Sequence, residues 1–174
     1  MDNLLQIVFS NILGFDGLIF ILAAVNLIVF YLALKSADKL HGIMHLSVFV
    51  PGHEVSEKEN AKQIENLSEP KIVALRQKST HRYMLYINIT AVFPLMGILG
   101  TVLGLITITQ DLTNVTSNFF AALTSTFWGL VFSIIYKMLD GILASKIEDN
   151  DKSVDLYLER NTAKSEVGIT RVTK

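Results

Sequence analysis

Cysteine is absent from the 174-residue chain, proline occurs only 3 times, and positive charge is missing from two long stretches. Without cysteine there is neither a disulfide nor thiolate chemistry. The net charge of −1 at pH 7 supplies no clustered basic face, so nucleic acid is not an expected partner. Of the 15 lysines and arginines, 8 fall between Lys35 and Arg82 and 7 from Lys137 onward, which leaves Met1–Leu34 and Tyr83–Tyr136 with none. Met1–Asp16 carries Asp2 and Asp16 but no basic residue, so no secretory signal is expected there. Nothing resembles a catalytic triad, a phosphate loop or a metal-hydrolase motif, and the chain is expected to be neither an enzyme nor a cofactor carrier. His41 and His45 lie one helical turn apart but lack the further ligands that a metal site requires.

What the chain does contain is apolar residues, 51% of the total, gathered into runs of membrane length. Gly17–Leu34 is the first, with Asn26 its only strongly polar member, and a bilayer core takes about 20 residues of helix. Asn26 can bond a neighbouring helix or satisfy a local carbonyl. Two more spans are predicted within 83–109 and 118–140, joined by the short outer link 110–117, so these two helices are adjacent and antiparallel. Ahead of the first span, residues 1–16 mix Leu4, Leu5, Ile7, Val8, Ile12 and Leu13 with polar residues, in the manner of a short surface helix or of a plain start to the span.

The segment 35–82 is charged with both signs and reads as helical and water-facing. The first helix continues until Pro51-Gly52, Ser56-Glu57-Lys58-Glu59 has the form of a capping box, and Pro70 fits the first turn of a helix that runs into the second span. Residues 141–174 extend the third helix into water and end in a solvated tail from Asn161. The positive-inside rule places 35–82 and the C-terminal segment in the cytoplasm, with the N-terminus and the 110–117 link outside. The expected fold class is therefore an all-α integral membrane protein with three transmembrane helices, N-out and C-in.

Thr101 and Thr126 each lie 8 residues from the outer end of their spans, about 12 Å deep by helix rise, so they can face one another. Thr90, Pro94, Gly97, Thr101 and Gly104 share one stripe of the second span. Ala122, Thr126, Gly129, Ser133 and Asp140 share one on the third, opposite the bulky Phe127, Trp128, Leu130, Val131, Ile134 and Ile135. These stripes have two readings. In one, small residues such as Gly100 and Gly104 let helix backbones approach, and each threonine bonds its own preceding turn. In the other, Thr101, Thr126 and Ser133 line a polar path for protons or a dehydrated cation. No Asp or Glu is placed in the middle of any span, and Asp140 is expected to pair with Lys137 at the cytoplasmic end.

Phe93-Pro94-Leu95-Met96-Gly97-Ile98-Leu99-Gly100-Thr101-Val102-Leu103-Gly104 closely resembles the proline-to-glycine motif of the MotA/TolQ/ExbB proton channel family. Ala122-Leu123-Thr124-Ser125-Thr126-Phe127-Trp128-Gly129-Leu130 resembles its second motif, a threonine followed three residues later by Gly-Leu. Ala121 stands where TolQ- and ExbB-like sequences usually have glutamate, and Ile135 where they usually have proline. The resemblance implies a homopentamer in the bacterial inner membrane around two copies of a single-span partner like TolR, ExbD or MotB, whose helix carries the titratable aspartate. It implies an ion-driven motor powered by protons or sodium, with Thr101 and Thr126 as ion-path hydroxyls and Pro94, Gly97, Gly100, Gly104 and Gly129 as the packing framework. The alternative is a non-conducting oligomeric scaffold that anchors a partner.

Overall fold

The computed structural model describes residues 15–44, 69–110 and 115–172, with side chains described as far as Asn161. They form three helices: α1 (Phe15–Met44), α2 (Glu69–Gln110) and α3 (Val115–Val172). Each contains a stretch long and apolar enough to cross a membrane. α2 takes Pro70 into its first turn, where the missing N–H has no helical partner to lose, and continues unbroken through Pro94. Past Asn161, where a solvated tail is expected, α3 keeps helical backbone to Val172. The surface helix expected over Leu4–Leu13, the helix start at Ser56–Glu59 and the middle of the 110–117 link lie outside the described residues.

The chain divides into two compact units, and each helix contributes to both. The first comprises the chain up to Tyr31 together with Met84–Gly141. Its described residues contain Asp16, Lys137 and Asp140 as their only charged side chains. Ile19, Ala23, Tyr86, Phe93, Ala122 and Tyr136 form its buried interior. The Phe93 and Tyr136 rings stack 5.2 Å apart, and Phe20 meets Trp128 edge-on at 4.8 Å. Two phenols tie the three helices together: Tyr86 donates to the Tyr136 carbonyl at 2.5 Å and Tyr136 to the Ala23 carbonyl at 2.6 Å. Leu18, Ile21, Leu95, Ile98 and Ile134 are more than half exposed, giving the unit an outward apolar surface suited to lipid or to other apolar helices.

The second unit, Leu32–Tyr83 with Ile142 onward, is built on a different economy. Leu40, Ile72 and Val154 form a small buried cluster against which Met44, Leu75, Tyr157 and Leu158 pack. Around it, Arg76 donates to Asp155 at 2.6 Å and to Asp151 at 2.8 Å, and Lys146 pairs with Asp38. The Asp155 carboxylate, aided by Asp151, holds the Arg76 proton more tightly than usual. Asn150 donates to the Ala37 carbonyl at 2.9 Å.

Within the first unit, α2 and α3 touch backbone to backbone. A side-chain carbon at Gly129 would lie 2.7 Å from the Phe93 carbonyl oxygen and 2.9 Å from Gly97 Cα, and one at Gly97 would lie 3.1 Å from Thr126 Cα. Main chain cannot yield as a flexible side chain would. Gly129→Ala is therefore expected to destabilise the detergent-solubilised protein by about 1–3 kcal/mol, read as a lowered Tm. Gly141 has nothing within 4 Å of that position. Gly141→Ala should leave Tm unchanged or raise stability by up to about 1 kcal/mol. Equal Tm values for the two variants would contradict the contact at Gly129.

Candidate functional site

The short link between the second and third spans fixes their register, and the structure brings Thr101 and Thr126 together. Their hydroxyls are hydrogen-bonded to each other across α2 and α3. Thr126 Oγ1 also reaches the Gly97 carbonyl at 3.0 Å; Thr101 Oγ1 reaches the same carbonyl at 3.1 Å and that of Ala122 at 3.3 Å. Two hydroxyl hydrogens thus have more acceptors than they can use at once, so the pair can change its hydrogen-bond direction without moving a heavy atom. Both side chains are half-buried. Thr101 bonds its own preceding turn, as the packing reading expects, and the neighbouring helix as well.

The packing framework is visible at four glycines. Gly97 and Gly129 face each other, Gly104 faces Ala122, with 3.0 Å from its absent Cβ to Ala122 Cα, and Gly100 opens a space filled by the Ser125 hydroxyl and the Phe15 ring. Pro94 is half-buried on α2.

Ser133 is not part of the threonine cluster. It lines a separate pocket of about 140 Å³ with Ile87, Thr90, Ala91, Lys137 and Asp140. Asp140 Oδ2 accepts from Lys137 Nζ at 2.6 Å, the expected i,i+3 pair, while Oδ1 is buried without a hydrogen-bond partner. Thr90 donates to the Tyr86 carbonyl at 2.9 Å and accepts from Asn26 Nδ2 at 3.0 Å. Asn26 therefore takes its interhelical role, with its Oδ1 left unpartnered. The structure thus shows two polar levels, Thr101 with Thr126 and Thr90 with Ser133, rather than one continuous stripe.

A third polar cluster was not anticipated. Asp16, which sequence reasoning leaves outside the first span, lies in the first turn of α1 and is 1% exposed. Thr124 Oγ1 donates to its Oδ2 at 2.8 Å, and Ser125 Oγ donates to its Oδ1. The available signal was the chemistry of the pieces: a lone charge at the edge of an apolar run, and two extra hydroxyls beside Thr126. Elsewhere, His41 Nδ1 lies 3.4 Å from Asp149, His45 is outside the described residues, and no group of three or more metal-ligating side chains occurs among the described residues.

The sequence model of the MotA/TolQ/ExbB proton channel family matches residues 22–155, which include both motifs and most of every helix. The chain belongs to that family. Its three apolar helices are accordingly those of a multi-pass membrane protein of a channel family. No curated protein and no solved structure matches the chain. In this member of the MotA/TolQ/ExbB family, the two motifs are the segments whose glycines interlock and whose threonines meet.

The Asn26–Thr90 bond supplies a direct measure of polar contacts between these helices. Thr90 keeps the Tyr86 carbonyl as its acceptor when Asn26 is replaced. Asn26→Val is therefore expected to cost no more than about 1 kcal/mol, the usual scale for interhelical hydrogen bonds in membranes, measured as denaturant or thermal stability in detergent. A loss several times larger would show that Asn26 does more than hold Thr90.

Proposed function

We propose that the chain is the channel subunit of an ion-driven membrane motor, one that couples flow of protons or sodium to mechanical work through a partner protein. The observation that carries this reading is the Thr101–Thr126 hydroxyl pair, held at one level on two interlocked helices of a proton-channel-family chain. Hydroxyls with spare acceptors can solvate a proton or replace part of a cation's hydration shell, whereas a purely apolar contact cannot. The reading includes a homopentamer in the bacterial inner membrane, oriented N-out and C-in by its lysines and arginines. The ring would enclose two copies of a single-span, TolR-, ExbD- or MotB-like protein with a membrane aspartate. It is a transport role and not an enzymatic one.

One observation favours a second reading, a passive scaffold. Both threonines already find acceptors within their own subunit, at the Gly97 carbonyl. Thr101→Val and Thr126→Val separate the two readings, because valine keeps the shape and removes the hydroxyl. The channel reading expects ion-driven output or ion flux to fall by about tenfold or more per variant, equivalent to at least about 1.4 kcal/mol on the transfer step, with assembly intact. Undiminished output in both variants would leave the scaffold. Purification with the partner gives an independent check, a five-fold ring enclosing foreign helices being the outcome expected of a motor.

A further inference from the structure

Asp16 is buried, ionisable and unused by the path described above. Burying a carboxylate is costly unless a cation or sufficient donors offset its charge. Two hydroxyls donate to it, but no cation lies nearby among the described residues of the unit. The sequence has no lysine, arginine or histidine before Lys35 or between Tyr83 and Tyr136. Among the described residues of this unit, the other titratable groups are Tyr31 on α1, Tyr86 on α2, and Tyr136, Lys137 and Asp140 on α3. Lys137 lies 12 residues beyond Ser125, about 18 Å along the helix, and is already paired with Asp140.

The hydroxyls that hold Asp16 each have a second acceptor. Thr124 Oγ1 lies 2.9 Å from the Ala121 carbonyl oxygen and Ser125 Oγ 3.3 Å from the same atom. A hydroxyl carries one hydrogen, so it is directed either to Asp16 or to Ala121. With the carboxylate ionised, both hydrogens point to Asp16. With the carboxyl protonated, its new O–H donates to one hydroxyl oxygen, whose own hydrogen turns to the Ala121 carbonyl. Both charge states are thus accommodated by rotating hydroxyls alone. The cluster also adjoins the threonine pair: Ser125 precedes Thr126, about 1.5 Å away along the axis. The Ser125 hydroxyl further occupies the space beside Gly100, the neighbour of Thr101.

We propose that Asp16, Thr124 and Ser125 form a reversible proton-binding site, supplied by this chain itself, next to the Thr101–Thr126 pair. Uptake forms one O–H bond on an Asp16 oxygen and takes the side chain from −1 to neutral; release is the reverse, so no other reactant is consumed. The transport role of this site rests on the channel reading, but its protonation does not.

The two are therefore tested apart. Full-length wild-type protein in its native membranes is treated with dicyclohexylcarbodiimide, which modifies protonated carboxyls in apolar surroundings, and the adduct is mapped by mass spectrometry. Labelling at Asp16 that rises as pH falls is expected. Labelling that is absent at every pH, or independent of pH, would overturn the proposal, as would protection by sodium at fixed pH with no pH dependence. In the second arm, Asp16→Asn keeps the side chain's size while removing the titration. It is expected to lower ion-driven output by about 100-fold, the lower end for a proton-transferring group, without loss of assembly or Tm. Unchanged output with intact pH-dependent labelling would overturn the role in transport. Asp16→Glu, which restores the carboxyl, should recover part of the output.

Discussion

The backbone contact between Gly97 on α2 and Gly129 on α3 sets the geometry on which the rest of the first unit depends. In lipid, apolar side chains gain little by leaving one hydrocarbon environment for another, so helices associate through close packing and hydrogen bonds. Any side chain at Gly129 would run into the Phe93 carbonyl and Gly97 itself. Removing both side chains brings the axes close enough for Thr126 to reach a carbonyl on the facing helix, and for two hydroxyls of ordinary length to meet. The glycines and the threonines are thus one device: the former determine the spacing, and the latter use it.

The same constraint explains why the two units differ. In the first, almost every interhelical polar contact ends on a backbone carbonyl or a hydroxyl: Tyr86 on Tyr136, Tyr136 on Ala23, Asn26 on Thr90. Such neutral partners carry little desolvation cost in an apolar medium. The second unit uses Arg76 with Asp151 and Asp155, and Lys146 with Asp38, pairs that stay partly exposed and need water to be tolerable. The change in polar chemistry along the helices matches the change in surrounding solvent that the sequence predicts.

How much of this was legible in the sequence follows from how the helices are connected. α2 and α3 are joined by a few residues, so counting inward from the link fixes their mutual register, and the meeting of Thr101 with Thr126 could be foreseen. The glycine spacing likewise indicated close packing. α1 reaches α2 only through the long charged segment, which leaves its rotation and depth undetermined by counting. Asp16 and Asn26 were accordingly the residues whose partners the sequence did not name: Asn26 had two options, and Asp16 was set outside its span. That Ser133 lines a different pocket from the Thr101–Thr126 pair was hidden for another reason. Helical periodicity assigns it to the same face as Thr126 but does not show that the Gly97–Gly129 contact lies between them.

That separation bears on how ions would cross. Thr101 with Thr126 and the pocket of Thr90, Ser133 and Asp140 are two turns apart on α3, about 10 Å of helix axis. The intervening stretch carries buried Phe93 and the backbone contact of Gly97 with Gly129. On the channel reading proposed above, this packed stretch is a barrier to direct passage from one level to the other within a single subunit. Thr101, Thr126 and Ser133 are only half-buried, however, so each level is open along its side. On that reading, transfer between levels runs along the open side. A neighbouring chain with a titratable group of its own would bridge the gap, receiving a proton at one level and releasing it at the other as its position relative to the subunit changes. On this argument the missing centre of the path is not a defect of the fold. On the proposed motor reading, it is the step at which ion movement and relative motion of two chains become the same event.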